Sequence, residues 1–450
     1  MIVMKFGGSS VESASAIDRV ASIVESRLSR RPVVVVSAMG KTTNRLLALA
    51  DTAVAGGREE ALRLLGELEQ FHLTEGGSLG GVIEGHFAEL AELVKGLAIL
   101  GELTPRSIDA ISAFGERLSS LVVAEAFRRQ GLDAIHQDSR EYIVTDDRHT
   151  QAAPLYKESY ERLWAKLAPL SEKHVIVMGG FIGSTLSGVT STLGRGGSDF
   201  SASIIGAGIG AEEIQIWTDV DGMLTCDPRI LPGGHRIKTI SFGEAAELAY
   251  FGAKVLHPST VLPAVEKEIP VLILNSRRPE VEGTRIVARA VPCANPIKAI
   301  ACKQNITTVH VRSTRMLMAH GFLRRIFEVF DHHETSVDMV TTSEISVSLT
   351  IDNTAHLDAI LGELGRIAEV GVERDQAIIS LVGDSVGTTS GIAGRVFQSL
   401  NGTNIRMISQ GASLLNLSFV VAGCDLRAAV AALHSEFFAA LDPEVFEKSQ

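Results

Sequence analysis

Gly194-Arg195-Gly196-Gly197-Ser198-Asp199 stands where a polar loop gives way to the apolar run Ser201 to Ile209. The run reads as a helix, which puts the glycines at its N-terminus, where unpaired backbone N–H groups and the helix dipole favour an anion. Glycine lets the backbone approach a ligand with no Cβ in the way, and Arg195 can fork onto a carboxylate. A small acid and a phosphate suit such a loop. An ordinary glycine-rich turn with a capping Ser or Asp explains the hexapeptide alone equally well, so the rest of the chain decides.

Working outward, short β-rich runs alternate with helical segments. Ile2 to Phe6 is a strand entering Gly7-Gly8-Ser9-Ser10, and Ala14 to Leu28 reads as the helix after it. Val33 to Val36, Val175 to Met178 and Ile214 to Trp217 are further buried strands, each running into a polar loop. Such a pattern predicts an α/β fold: a mainly parallel sheet sandwiched by helices, with ligands outside the carboxyl ends of the strands. The loop Ser37 to Asn44 leads into a helical excursion between about Leu46 and Leu103.

Composition shifts near Glu282-Gly283-Thr284, and Pro292 and Pro296 mark a linker. Beyond it Gly321 to Phe327 echoes Gly391 to Phe397, Ser336 to Val340 echoes Asn404 to Ile408, and Ile345 to Leu349 echoes Leu415 to Phe419. A nearly constant offset of about seventy residues indicates a small α+β module present twice.

The 450 residues suffice for two to four domains, and 45% hydrophobic with 21% charged residues is globular composition. A net charge of -11 argues against a broad nucleic-acid-binding face. Cys226, Cys293, Cys302 and Cys424 form no CxxC pair, so reduced thiols and no metal site are expected. Without a signal-like N-terminus or a membrane-length apolar run, a soluble cytoplasmic protein is expected. Two nucleotide signatures fail on context. For Gly40-Lys41-Thr42 to end a P-loop, the first glycine would fall at Val35, inside a strand, and Gly206-Ala207-Gly208-Ile209-Gly210 follows a helix instead of opening one.

What remains is a set of strand-end loops. Lys5, beside the backbone amides of Gly7 and Gly8, suits a transferring phosphoryl group, where charge stabilisation is most of the catalysis. Glu116 suits an ammonium and Thr43 a hydroxyl hydrogen bond; Asp219, Arg229 and Lys254 carry charge in other loops. A surface lysine, a helix-start acid and solvated charges explain each of these residues taken singly.

Lys5 to Val11, Ser37 to Asn44, Gly115-Glu116, Gly179 to Gly183, Leu193 to Asp199, Trp217 to Arg229 and Phe251 to Pro258 follow in order, however. With them the chain resembles the aspartate kinases of the amino acid kinase family, and its tail resembles two ACT domains. The resemblance implies transfer of the ATP γ-phosphoryl group to the β-carboxylate of L-aspartate, with Mg²⁺ arriving on ATP. It implies a kinase domain at 1–288, a linker and first regulatory strand at 289–308, and ACT domains at 309–375 and 376–450. Lys5 and Asp199 are the implied catalytic residues, Asp199 orienting the loop and the lysine. Lys5, Phe6, Gly7, Gly8, Thr218, Asp219, Leu224, Arg229, Lys254 and Val255 match ATP-binding positions. Thr43, Glu116, Arg195, Gly196, Gly197 and Ser198 match aspartate-binding ones.

The first repeat resembles the lysine-sensitive class. Its implied effector residues are Met316, Ala319, Gly321, Phe322, Leu323, Val337, Asp338, Thr342, Ser343 and Glu344, with Asp338 and Glu344 meeting the effector's ammonium. Leu224 stands where that class often has tyrosine, and Met318 and Ala319 where it often has His and Ser. The tail also implies a homodimer or a dimer of dimers. A sister amino acid kinase for glutamate, carbamate or a nucleotide shares the phosphate loops, but would lack Trp217 to Arg229 with this tail. A non-catalytic amino-acid sensor is a second alternative, opposed by intact Lys5, Glu116, Arg195 and Asp199. Fusion to a homoserine dehydrogenase is not expected, since the chain ends at Gln450.

Overall fold

The computed structural model describes residues 1–76, 80–252, 256–313 and 320–448. Two compact units divide the chain: Met1–Met223 with Val255–Arg289, and Leu224–Lys254 with Ala290–Gln450.

In the first unit β1 (Ile2–Phe6), β2 (Pro32–Val36), β3 (Ala134–Gln137), β4 (Val175–Gly179), β5 (Glu213–Thr218), β6 (Val271–Asn275) and β7 (Thr284–Val287) lie in the order β7-β6-β5-β1-β2-β4-β3. Neighbours are parallel except for β6 and β7. β1 sits centrally, with Ile2 opposite Pro32 on one side and Glu213 on the other. Pro-Val-Val-Val-Val of β2 is buried at every position. β-branched residues fit a strand covered on both faces, and each fully buried valine contributes roughly 1.5–3 kcal/mol. Because β1, β2, β4 and β5 are parallel, the loops that follow them leave the sheet on one side.

Helices α1 (Ala14–Glu25), α2 (Thr42–Val54), α3 (Arg58–Glu75), α4 (Gly80–Leu100), α5 (Pro105–Ser112) and α6 (Phe114–Arg129) follow the first strands. α1 stops at Glu25, short of the expected Leu28. One of its last carbonyls is taken by side chains there: Ser26 Oγ donates to the Ile23 carbonyl (2.7 Å) and so does Arg27 Nη1 (3.2 Å). The helical excursion packs Leu46, Leu49, Leu68, Phe87, Leu90 and Val94 into one core with Ile17 and Val20. Helix α7 (Gly197–Ile209) begins four residues before the expected Ser201, and Gly210 closes it in a left-handed conformation, as a helix stop should.

The second unit holds a sheet of β8 (Ala299–Arg312), β9 (Val340–Thr342), β10 (Ser346–Ile351), β11 (Glu369–Val382), β12 (Ile405–Gln410) and β13 (Asn416–Ala422), in the order β9-β10-β8-β11-β13-β12. All pairings are antiparallel. Before the sheet comes helix α8 (Phe242–Tyr250), and within it α9 (Phe322–His332), α10 (Leu357–Leu364), α11 (Ile392–Ser399) and α12 (Leu426–Phe437). The repeat is visible in the backbone: α9 starts after Gly321 at φ 80° and α11 after Gly391 at φ 84°.

β8 and β11 are each 14 residues long and serve both copies. The far half of β8, Thr307 to Arg312, pairs with β10, while Ala299 to Lys303 pairs with Ile378 to Val382 in the second copy. β8 therefore runs unbroken through residue 308. The halves are offset by two register shifts, with Asn305 and Asp375 at φ 59° and 54°. Just before β8, Lys298 is buried against Glu244 of α8 at 3.0 Å. Among the described residues no helix is long and apolar enough to cross a membrane.

Candidate functional site

At the carboxyl ends of β1, β2 and β4 a pocket of about 290 Å³ is lined by Lys5, Ser37, Thr43, Glu116, Phe181, Gly194, Gly196, Gly197, Ser198 and Asp199. That volume is at the small end for ligand sites and suits a compact molecule. Lys5 Nζ lies 2.7 Å from Asp199 Oδ1, both side chains largely buried. Asp199 is in the first turn of α7, where a carboxylate complements the helix dipole. The ion pair thus joins the end of β1 to the start of α7.

The loop's glycines are needed where they stand. Gly196 has φ 71°, a left-handed conformation that admits the helix directly, and a Cβ there would meet Thr260 at 2.8 Å. A Cβ on Gly180 would meet Ser198 Cβ at 2.7 Å, so the β4 loop and the start of α7 touch through bare backbone. Phe181, also facing the pocket, is held at φ 65°, and its N–H donates to Ser201 Oγ at 2.9 Å.

Glu116 is the electrostatic centre. It is buried at the start of α6, and Ala38 N–H donates to its Oε1 at 3.1 Å while Oε2 has no partner. Burial pushes its carboxyl up to about 8, opposed by the Ala38 N–H and the nearby Lys5 charge. A ligand cation meeting Oε2 would satisfy that oxygen and favour the ionised form. Thr43 lies in the first turn of α2, not in a loop before Asn44; the turn closes early because Thr42 Oγ1 donates to the Met39 carbonyl (2.7 Å).

Some expected contacts are differently placed. Gly7 N–H is committed to the Trp217 carbonyl at 3.2 Å, so of the two glycines it is Gly8 that heads the short turn Gly8–Ser10. Phe6 is fully buried and stacked on Trp217 (5.8 Å between centroids), so its ring reaches no ligand. Arg195 is exposed and is not among the lining side chains. Thr218 ends β5 and donates to Asp219 Oδ1 at 3.2 Å. In the second unit Leu224 bridges to Arg236, and exposed Arg229 is paired with Asp227 at 2.6 Å. Lys254 and Val255 lie outside the described residues.

In the first repeat Gly321 caps α9, Phe322 is buried, Leu323 is exposed and Val337 half-buried. Thr342, Ser343 and Glu344 are exposed, while Met316, Met318 and Ala319 lie outside the described residues. Asp338 is not a free acid: its Oδ1 is 2.6 Å from Lys303 Nζ, which also pairs with Asp352 at 2.7 Å. Its Oδ2 is buried without a partner, and burial holds the carboxyl above its ordinary range against the pull of Lys303.

Asp109 supports the Leu193 to Asp199 loop although no sequence motif marks it. Its fully buried carboxylate accepts from Thr192 Oγ1 (2.5 Å) and Thr150 N–H (2.9 Å) and pairs with His149 Nδ1 (2.7 Å). Thr192 immediately precedes the Leu193 to Asp199 loop, so this carboxylate ties down its base. Asp109 is 83 residues away in sequence, and no local pattern announces the contact.

The amino acid kinase family model matches residues 1–275, and an ACT domain model matches residues 379–437. Aspartokinase 2, chloroplastic, of Arabidopsis thaliana is 41% identical, over 97% of this chain and 84% of its own length. Lysine-sensitive aspartokinase 3 of Escherichia coli is 38% identical, over 97% and 99%. Among solved structures, E. coli aspartokinase III with lysine and aspartate (T-state) superposes with a TM-score of 0.86 at 36% identity, covering 97% of this chain and 99% of that one. The same enzyme with aspartate and ADP (R-state) gives 0.80 at 36% identity, covering 97% and 100%.

Proposed function

The chain belongs to the amino acid kinase family as an ATP-dependent aspartate kinase, and on that footing we propose how its residues divide the work. L-Aspartate occupies the 290 Å³ pocket, its ammonium against Glu116 Oε2 and its α-carboxylate drawn to the exposed Arg195 and the Gly196 N–H, the Gly197 N–H being taken by the Gly194 carbonyl at 3.0 Å. The buried, unpartnered Glu116 oxygen carries this reading, since an orphaned acceptor at a pocket wall calls for a donor.

ATP enters as its Mg²⁺ complex, the ion being part of the substrate. A β-carboxylate oxygen attacks the γ-phosphorus; the new P–O bond forms as the bond to the β-phosphate oxygen breaks. No proton moves, because the attacking carboxylate is already ionised, so Asp199 acts by holding Lys5 and not as a base. Lys5 meets the negative charge on the transferring group. Acyl phosphate trapped as hydroxamate tests the reading. Aspartate should turn over well ahead of glutamate, and the reverse order would overturn it.

Glu116 makes the aspartate KM depend on pH. With its carboxyl near 8 in the free pocket, a bound ammonium must expel a proton below that pH. The KM should therefore fall as pH rises from 6 towards 8, by up to about tenfold per unit, and level off above. In Glu116→Gln the slope should vanish while the KM rises at every pH. A wild-type KM flat over this range would remove the role.

For regulation we infer that lysine inhibits through the first repeat of a homodimer or dimer of dimers. The likeness to the lysine-sensitive enzyme and the geometry of Asp338 support this. Lys303 already holds Asp338 Oδ1, so the buried Oδ2 is the oxygen left for the effector's ammonium. Coupling of this kind is about 1–3 kcal/mol. Asp338→Ala should raise the lysine concentration for half-inhibition at least tenfold. Undetectable lysine binding to the wild type by calorimetry would defeat the lysine assignment and leave the kinase one standing.

A further inference from the structure

We propose that the first repeat carries a divalent transition-metal site, of the zinc type, formed by His332, His333 and Glu363. The two histidines end α9, His333 being its C-cap, and Glu363 lies in the last turn of α10. His333 Nε2 is 3.0 Å and His332 Nδ1 3.5 Å from the same oxygen, Glu363 Oε1. One donor atom from each residue falls within 4.8 Å of the other two. Zinc–ligand bonds of about 2.0–2.1 Å place tetrahedral ligands roughly 3.3 Å apart, so two of the three edges are already at length.

The donor set decides the ion's class. Two imidazole nitrogens and one carboxylate oxygen suit zinc and its neighbours, whereas magnesium and calcium prefer all-oxygen shells. The end of α9 also presents the negative pole of its helix dipole. His332 is exposed, at 72%, so an ion can enter from solvent and keep water in the fourth position. The site has a mechanical meaning, because its ligands come from both helices of the first repeat. A bound ion would clamp α9 to α10, and α9 begins at the Gly321-Phe322-Leu323 turn. The competing explanation is a plain histidine–carboxylate pair that holds no ion.

The test uses the full, untagged chain stripped with chelator and titrated with zinc chloride by calorimetry, then with cobalt(II) by absorption. One zinc per chain should bind with a Kd in the micromolar range, and cobalt should give visible bands without a thiolate charge-transfer band. Absence of that band excludes capture by Cys226, Cys293, Cys302 or Cys424. His333→Ala and, separately, Glu363→Gln should each weaken zinc at least tenfold, with unchanged circular dichroism. Zinc should raise the unfolding midpoint of the wild type and not of either variant. Wild-type affinity in both variants, a thiolate band, or no binding below about 100 μM zinc would overturn the proposal.

Discussion

Lys5→Ala is expected to lower kcat by about 10²–10³-fold, or roughly 2.7–4 kcal/mol of barrier, while the aspartate KM moves only a few-fold. The asymmetry follows from position. Lys5 lies at the end of the central strand, whose backbone is fixed by parallel neighbours on both sides, and its ammonium is aimed by Asp199 at 2.7 Å. A charge held so rigidly is already arranged for the phosphoryl group before transfer begins, which is where preorganised charge lowers a barrier. In the proposed arrangement aspartate binding rests on other groups, chiefly Glu116. Steady-state kinetics with saturating ATP would separate the two parameters. A near wild-type kcat in Lys5→Ala would refute the phosphate role; a large KM change with kcat intact would reassign Lys5 to aspartate.

The second large effect belongs to the second unit. Lys298 and Glu244 are 1% and 0% exposed and 3.0 Å apart. Glu244 also closes the capping box of α8, accepting from Ser241 N–H and Oγ. Removing the lysine leaves a carboxylate in a dry site, and breaking one side of a buried pair costs about 3–5 kcal/mol. At about 2–4 °C per kcal/mol for a unit of this size, Lys298→Ala should lower the second unit's thermal transition by roughly 6–20 °C. Scanning calorimetry would read it as a separated transition. An unshifted transition would mean that water reaches Glu244 once the lysine is gone.

Strands and their polar exits were legible because the valine runs of β2 and its neighbours are buried on both faces, and glycines mark each exit. The repeat was legible because its glycine turns recur at fixed spacing. Local pattern did not reveal what depends on distant partners. α7 begins at Gly197 because Gly196 turns into it directly, although Ser198 and Asp199 are polar enough to read as loop. Gly7's N–H is taken by Trp217, more than 200 residues away, and Asp338 by Lys303 of β8. Asp109 reads in sequence as an ordinary helical aspartate, and only the fold brings Thr150 and Thr192 to it.

The long strands β8 and β11 set an order of events on the ribosome. Ala299 to Lys303 is synthesised before the first repeat, yet its partners in β11, Ile378 to Val382, are made only after that repeat is complete. During the interval the early segment has an unpaired edge, and at about 5–20 residues per second the wait lasts several seconds. Exposed edges of this kind invite pairing with other nascent chains, so the segment's tolerance for added β-branched residues should be low. A sequence duplicated in tandem has thus become one that cannot be trimmed to its two copies: a fragment starting at residue 309 would lack the strand segment that closes its second half.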